Sequence, residues 1–186
     1  MSEIILRAIE STDLPDMKRW RNDIIDMCRE YRLINDEHQD RWWQAYSDQA
    51  YERYPKHLMY AIEADSMPRA ILGVCGWTNI DWLNRRAELS IYLGTEYQNK
   101  GHGRKALRAL HDIAFNQLGF QCVWLEVHDW NPNARKLYET EGYQLIGKFR
   151  DARFKDGKYY PTWIYDFTVE EYRARQDAAK SDGVEC

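Results

Sequence analysis

The stretch Thr95–Leu107, TEYQNKGHGRKAL, places two glycines around one histidine, directly before a run of residues with helical spacing. Apolar residues recur every three or four positions after it, which predicts a helix whose first turn lies beside the two glycines. The first turn of a helix carries unpaired N–H groups and the positive end of the helix dipole. Glycines leave such backbone open to close approach, so the stretch predicts a site for a phosphate or another anion.

A dinucleotide is one ligand that fits this pattern. Residues 101–106 match G-x-G-x-x-A, and Glu126 ends the next predicted strand at about the right distance. Residues 95–100, however, separate the first glycine from the preceding strand, AELSIYL. That strand carries Glu88 and Ser90, whereas a buried parallel strand is apolar throughout. The motif also lies past mid-chain and leaves no room for a doubly wound sheet, so NAD binding is the weaker hypothesis.

A second motif follows downstream. Residues 131–143, NPNARKLYETEGY, match N-x-x-A-x-x-L-Y-x-x-x-G-[FY], and residues 98–103 match Q-x-x-G-x-G. The two motifs occur in this order, separated by one predicted helix and one predicted strand. With both present, the chain resembles the GNAT acetyltransferases, most firmly from Arg85 to Tyr143. The resemblance implies acetyl-CoA as the donor and a primary amine as the acceptor, with no metal.

The order of predicted elements is one strand, two helices, three strands, a helix, a strand, a helix and two strands. This order predicts an α+β fold with a mostly antiparallel sheet. The resemblance implies the GNAT fold, with a mixed central sheet of about seven strands that splays at the cofactor site and about four flanking helices. We expect a single domain over residues 1–173 and a polar, frayed tail over residues 174–186.

Composition excludes several other classes of protein. The chain has 186 residues and a net charge of −4, without the basic excess that is typical of nucleic-acid binders. No apolar run reaches about 18 residues, so no membrane span is predicted. The N-terminus lacks a signal-peptide pattern, which favours the cytoplasm. The four cysteines form no C-x-x-C pair and have no histidine at zinc-site spacing, so we expect reduced thiols and no metal.

The resemblance also implies which residues hold the cofactor. Backbone groups of Ile91, Tyr92 and Leu93 would pair with the pantetheine arm, as an added strand pairs with a sheet edge. A backbone N–H near Tyr92 or Leu93 would also polarise the thioester oxygen. The remaining implied positions comprise the pyrophosphate loop and two residues of the following motif: Gln98, Asn99, Lys100, Gly101, His102, Gly103 and Arg104, with Asn131 and Lys136. For Asn131 an ordinary N-cap role is an alternative, and both roles are compatible.

Tyr138 is the predicted general acid. Its place in the second motif matches the tyrosine of the family, which protonates the leaving thiolate. A phenol has a pKa of about 10 and therefore holds its proton near neutral pH. The alternative is that Tyr138 is a core residue beside Leu137.

The acceptor amine must lose a proton before it attacks, and an alkyl amine has a pKa of about 10.4. Glu88, on the strand that leads to the cofactor, is the predicted base, acting directly or through water. The alternative is a solvated strand residue paired with a neighbouring arginine. Glu126 is the next choice, and His102 and His128 are weaker ones.

Large aromatic residues give the only signal for the acceptor. In the family, the two N-terminal helices and the last hairpin line the acceptor site, so we expect Trp42, Trp77 and Tyr159 to bind substrate. Aromatic rings there would hold a sugar ring, an apolar tail or a cation, and core packing is the alternative for each.

The chain looks most like the branch that includes ribosomal-protein N-terminal, polyamine and amino-sugar acetyltransferases. A small amine or amino sugar is the preferred acceptor, and a protein N-terminus is the alternative. A non-catalytic acetyl-CoA-binding module also remains open. Family members are often homodimers.

Overall fold

Seven strands form one sheet in the computed structural model of the chain, which describes residues 3–28 and 31–181. Their order is β1-β2-β3-β4-β5-β7-β6. The β4–β5 pair is parallel, whereas β1–β2, β2–β3, β5–β7 and β6–β7 are antiparallel, so the predicted mixed and mostly antiparallel sheet is confirmed. The strands are β1 (Ile4–Ala8), β2 (Leu58–Ala64), β3 (Met67–Asp81), β4 (Arg86–Leu93), β5 (Cys122–His128), β6 (Gln144–Lys155) and β7 (Lys158–Thr168).

Five α-helices occur within the described residues, one more than the sequence predicts. They are α1 (Leu14–Asp23), α2 (Asp36–Ala50), α3 (His102–Asp112), α4 (Pro132–Thr140) and α5 (Val169–Ser181). The additional helix is α5, which buries Val169 and Tyr172 in its first turn and continues through most of the segment expected to be a frayed tail. Residues 182–186 of that segment lie outside the described residues. No described helix combines the length and the apolar character that crossing a membrane requires.

The chain divides into two compact units. The first unit comprises Met1–Trp82 and Leu89–Leu110, and the second comprises Leu83–Glu88 and His111–Cys186. Strand β4 therefore contributes residues 86–88 to the second unit and residues 89–93 to the first.

The core of the first unit forms around one face of α1. Leu14, Met17 and Trp20 recur every three residues, which places them on the same side of the helix, and all three are buried. They belong to one apolar cluster with residues of β2 and β3 and the segment after β1, namely Ile9, Met59, Ala61, Ile71 and Val74.

The start of α1 is tied to the sheet by one arginine. The Arg7 guanidinium on β1 donates to the carboxylates of Asp13 and Glu63, each at 2.8 Å. Asp13 also accepts a hydrogen bond from the Glu10 N–H at 2.8 Å. These contacts join β1, β2 and the residue before α1.

In the second unit, β4 and β5 pair over only three residues, from Arg86 opposite Cys122 to Glu88 opposite Trp124. Strands β6 and β7 form a hairpin, and its two turn residues, Asp156 and Gly157, have φ values of 50° and 77°. Both values are positive, as a two-residue hairpin turn of this type requires.

Candidate active site

The predicted pyrophosphate loop leaves β4 over a tryptophan of α1. A Cβ placed on Gly94 would lie 2.4 Å from the Trp20 ring, so only glycine fits there. Trp20 Nε1 donates to the Glu96 carboxylate at 3.1 Å, and the Arg19 guanidinium donates to the same carboxylate at 2.9 Å. Hydrogen bonds, first from the Glu96 backbone N–H and then from Arg19 and Trp20, lower the pKa of Glu96 to about 2. Helix α1 thus fixes the entrance to the loop.

The loop backbone takes the conformation that an anion site requires. Asn99 and Gly101 have φ values of 58° and 83°, in the left-handed region. The Lys105 N–H donates to the Gly101 carbonyl at 3.3 Å, so the N–H groups of His102 and Gly103 precede the first bond within α3. A Cβ placed on Gly101 would meet no atom within 4 Å, so the approach to this backbone is open.

Three side chains of the predicted loop differ in their roles. The Gln98 amide donates to the Leu93 carbonyl at 3.2 Å and closes the loop onto the end of β4. Lys100 and Arg104 are exposed and add positive charge beside the helix N-terminus.

The end of β4 packs closely against β3. A Cβ placed on Gly73 would lie 2.3 Å from the Tyr92 carbonyl oxygen and 2.8 Å from the Leu93 Cα. Ile91, Tyr92 and Leu93 are all half-buried at this point. Gly73 therefore allows the two strands to approach where the pantetheine arm is predicted to pair.

A cavity of about 760 Å³ opens beside β4 in the first unit. Ser90 and Tyr92, two residues apart on β4, both line it because side chains on a strand alternate between faces. Trp42 of α2, 38% exposed, also lines it and stacks on Tyr46 with ring centroids 5.2 Å apart. Tyr46 is held in turn by the Met59 backbone, to which its hydroxyl donates at 3.0 Å.

The other two predicted acceptor aromatics lie elsewhere. Trp77 is fully buried in β3 and belongs to the core side of the strand. Tyr159, 65% exposed, lies at the tip of the β6–β7 hairpin in the second unit and contacts the Phe154 ring at 5.1 Å. Of the three, Trp42 is the one that lines the cavity in the first unit.

Positively charged residues also line the cavity, and sequence reasoning missed them. Among the described residues, the lining contains Arg21, Arg32, Arg41 and Lys56, with Glu52 as the one carboxylate. A signal for Arg21 exists in the sequence. It follows Met17 by four residues on the inner side of α1, where an apolar residue is expected.

Helix α4 presents the second motif. The Asn131 side chain accepts a hydrogen bond from the Ala134 N–H at 3.2 Å, so its N-cap role is confirmed. Gly142, with φ at 104°, follows the helix, and the Tyr143 N–H donates to the Tyr138 carbonyl at 3.0 Å. Lys136 is exposed on the outer face of the helix.

Tyr138 lies on the inner face of α4 and is only 9% exposed. Burial raises the pKa of Tyr138 to about 12. Its ring meets Tyr143 edge-on, with centroids 5.5 Å apart. The Tyr143 hydroxyl pairs with His111 Nε2 at 3.1 Å, and the Tyr165 hydroxyl donates to Glu139 at 2.7 Å. The Tyr138 hydroxyl makes no side-chain hydrogen bond within the described part of the chain.

Among the predicted bases, Glu88 has the most enclosed carboxylate. It is 4% exposed and stands opposite Trp124 at the last β4–β5 pair, so it is not a solvated strand residue. Glu126 faces the Arg153 guanidinium at 3.9 Å. His128 is buried and stacks on Trp130, with ring centroids 4.9 Å apart.

The predicted residues divide between the two units. The first unit holds Ile91, Tyr92, Leu93, residues 98–104, Trp42 and Trp77, and the second holds Tyr138, Glu88, Asn131, Lys136 and Tyr159.

The sequence model of the acetyltransferase (GNAT) domain matches residues 3–144. The chain belongs to the GNAT acetyltransferase family. It is accordingly an N-acetyltransferase with acetyl-CoA as its donor, and the dinucleotide hypothesis is wrong. The five-helix, seven-stranded α+β architecture is the GNAT fold, as the two motifs predict.

Two relatives of this GNAT acetyltransferase bear names that state an activity. A spermidine N(1)-acetyltransferase from Vibrio cholerae is 26% identical over 85% of this chain and 88% of its own length. A putative ribosomal N-acetyltransferase, YdaF, from Bacillus subtilis is 26% identical over 58% of each chain.

Solved structures agree on the fold. The crystal structure of the V. cholerae spermidine N-acetyltransferase in complex with CoA and spermine matches with a TM-score of 0.81 at 23% identity, over 92% of this chain and 98% of that one. A dodecameric structure of spermidine N-acetyltransferase from V. cholerae matches with a TM-score of 0.78 at 24% identity, over 93% of this chain and 98% of that one.

Proposed function

We propose that this GNAT acetyltransferase acetylates a small primary amine that binds in the cavity beside β4. The cavity itself carries the proposal. Its volume of about 760 Å³ lies within the range of small-molecule sites, about 300–1,000 Å³. Ser90 and Tyr92 line it from the same strand whose residues 91–93 are proposed to hold the donor. An acceptor bound there lies next to that strand.

The residues of the first unit fit acetyl-CoA. The open backbone at Gly101 and the N–H groups of His102 and Gly103 suit a pyrophosphate, and Lys100 and Arg104 add charge beside them. Acetyl-CoA supplies an acetyl group activated as a thioester. From the second unit, Asn131 uses its side-chain oxygen for the helix cap, which leaves its amide nitrogen as a donor for the cofactor arm. Lys136 is a second, exposed contact for the cofactor.

Tyr138 is the proposed general acid. Its buried phenol keeps its proton, because burial raises the pKa of Tyr138 to about 12. Its hydroxyl is not committed to a side chain in the described residues and can donate to the thiolate that leaves. Glu88 is the proposed base, which takes the proton from the acceptor amine directly or through one water.

Acceptors suggested by the relatives are less well supported. The V. cholerae relative is named for spermidine, a polycation, whereas the described part of the cavity lining has four cationic side chains and one carboxylate. A protein N-terminus, which the name of the B. subtilis relative suggests, needs an open groove. We propose a catalytic domain over residues 1–173 that self-associates, which the dodecameric structure from V. cholerae supports. A cytoplasmic location stays a prediction.

An acceptor screen tests the proposal. Amino sugars, amino acids, polyamines and short peptides are offered with acetyl-CoA, and release of CoA is followed. Trp42→Ala is expected to raise KM for the accepted amine about tenfold or more, because the ring lines the cavity, and to leave KM for acetyl-CoA unchanged. Tyr54→Ala is the matched control, since Tyr54 is exposed and its ring contacts Trp82, at a tilt, outside the cavity lining. Peptide-only turnover, or an unchanged KM in Trp42→Ala, would contradict the assignment of the cavity.

A further inference from the structure

We propose that the acceptor amine carries an anionic group, a carboxylate or a phosphate, which the Arg21 guanidinium binds in the cavity of the first unit. The inference rests on the proposed function, because it concerns the acceptor that the same cavity holds. It narrows the substrate class from small amines in general to amines that also bear a negative charge.

Arg21 carries an unused donor inside the cavity wall. It lies on α1 four residues after the buried Met17 and lines the cavity. Its Nη1 is buried and has no hydrogen-bond partner among residues 3–28 and 31–181. A buried donor without an acceptor leaves the guanidinium charge incompletely compensated, so an anion that approaches Arg21 from the cavity is stabilised. A planar guanidinium fits carboxylate and phosphate oxygens, to which it can make two parallel bonds.

The charge around Arg21 also favours an anion. Arg32, Arg41 and Lys56 line the same cavity, and among the described residues Glu52 is the one carboxylate of the lining. The Arg41 charge is offset by an ion pair with Glu37 at 2.5 Å, but the balance of the lining stays positive. The whole chain has a net charge of −4, so the positive charge of this cavity is a local feature. A polycation would meet repulsion there.

Arg21 shares the cavity with two residues of β4, Ser90 and Tyr92. Burial raises the pKa of Tyr92, and the positive charge of Arg21 opposes that rise. Arg21 on α1 and Tyr92 on β4 thus line the cavity from two elements. An acceptor held by Arg21 lies close to the strand that is proposed to bind acetyl-CoA.

The remaining wall suits the body of such an acceptor. Trp42 and Tyr46 stack with an interplanar angle of 3°, and the Tyr46 hydroxyl is fixed on Met59. A rigid aromatic face packs against a sugar ring or an apolar side chain. The class is therefore an amino sugar phosphate or an amino acid.

Paired acceptors test the proposal. Glucosamine is compared with glucosamine 6-phosphate, and lysine with cadaverine, with spermidine as a polycationic reference. We expect kcat/KM to be at least about tenfold higher for the anionic member of one pair. Which pair shows this preference tells whether the site binds a phosphate or a carboxylate. In Arg21→Met that preference should fall by about tenfold or more, toward equality of the two members. Arg53→Gln, which removes an exposed arginine outside the cavity lining, should retain it.

A second measurement does not depend on turnover. Inorganic phosphate is titrated into the protein saturated with CoA, so that phosphate cannot report on the cofactor site. We expect phosphate to raise the Tm of the wild type and of Arg53→Gln, and to leave the Tm of Arg21→Met unchanged. An equal response of the wild type and Arg21→Met overturns the proposal, as does equal or faster acetylation of the neutral and polycationic amines. Absence of stabilisation by CoA itself would instead overturn the proposed function.

Discussion

Tyr138, Tyr143 and Tyr165 are three buried tyrosines of the second unit, and they differ in what their hydroxyls contact. Tyr143 and Tyr165 have side-chain partners, His111 and Glu139. The Tyr138 hydroxyl has none within the described residues, which is the arrangement expected of a group that serves a ligand. Tyr143 and Tyr165 are therefore suitable controls for substitutions of Tyr138.

We predict that Tyr138→Phe lowers kcat by about 10²-fold to 10⁴-fold, because a general acid contributes that much, while acetyl-CoA affinity is retained. Tyr143→Phe should keep kcat near the wild-type value and lose about 1 kcal/mol of stability, since it breaks the bond to His111. Steady-state kinetics and thermal unfolding of both variants check this. Wild-type turnover in Tyr138→Phe would exclude the assignment.

The pH dependence follows from the same residue. The pKa of Tyr138 is raised to about 12, so its phenol stays protonated throughout the neutral and mildly alkaline range. An alkaline loss of kcat centred below about pH 10 would therefore belong to another group.

Sequence reasoning reached Tyr138 because its motif fixes the residue at one position of a short helix. It did not reach Arg21, although the spacing places Arg21 beside apolar residues of α1. The spacing of residues in a helix can show that a charged side chain lies on its inner face. Whether a cavity or a partner meets it depends on residues of α2 and β4 that are distant in the chain.

At the scale of elements, the junction of β1, β2 and α1 depends on Asp13, which is buried. Burial acts to raise the pKa of Asp13, but hydrogen bonds from Arg7 and from the Glu10 backbone outweigh it and hold that pKa below its usual range. A lowered pKa in the folded state stabilises the protein above the ordinary aspartate pKa, about 3.9. That stability is lost as the pH falls through the lowered value.

We predict that Asp13→Asn lowers the Tm at pH 7, and that the difference from the wild type shrinks below about pH 4. Thermal unfolding between pH 7 and pH 2.5 measures it. Asp16→Asn is the control, because its ion pair with Arg19 is exposed and such pairs contribute little. A constant difference at every pH would show that the Asp13 charge is not what stabilises the junction.

The close packing of β3 and β4 leads to a further prediction. In Gly73→Ala, the new methyl would lie 2.3 Å from the Tyr92 carbonyl oxygen, so β4 must shift. We expect a loss of about 1–3 kcal/mol of stability and weaker acetyl-CoA binding, because residues 91–93 move. Gly147→Ala in β6, where a Cβ meets no atom within 4 Å, should change neither. Calorimetry measures the stability of the two variants, and CoA titration measures their affinity for the cofactor.

Elements with strong local signals were predictable from the sequence. The hairpin at Asp156 and Gly157 and the start of α3 at His102 follow from glycine position and apolar spacing. Helix α5 was not predictable in this way, because only Val169 and Tyr172 of its first turn are buried and the rest of its sequence is polar. Helix α5 is held by two buried side chains, and its sequence has no long repeat of apolar residues that would predict a helix.

For the whole molecule, donor binding should appear as stabilisation of the folded chain. At about 100 times its Kd, a ligand that binds only the folded state adds about 2.7 kcal/mol, or about 5–11 °C in Tm for a chain of this size. We therefore predict such a rise with acetyl-CoA and with CoA, and none with NAD. Differential scanning fluorimetry measures all three. Stabilisation by NAD alone would be inconsistent with the phosphate loop as described.

The overall charge of the molecule was a poor guide to its site. The net charge of the chain is −4, yet the described lining of the cavity is basic. Net charge sums over the whole surface, whereas recognition depends on the few groups that the fold gathers around a ligand. The family, by contrast, could be predicted from the sequence, because each of its two motifs is a short continuous stretch of residues.

Two consecutive residues of α1 adjoin the two proposed substrate sites. Trp20 packs against Gly94 at the entrance to the donor loop, and Arg21 lines the acceptor cavity. Substitutions at position 21 can therefore retune which amine is accepted while the donor loop keeps its support. Position 20 has no such latitude, since any other ring or chain would release the loop. An enzyme built this way can diversify its acceptors over evolution, or in the laboratory, one side chain away from a position that must stay constant.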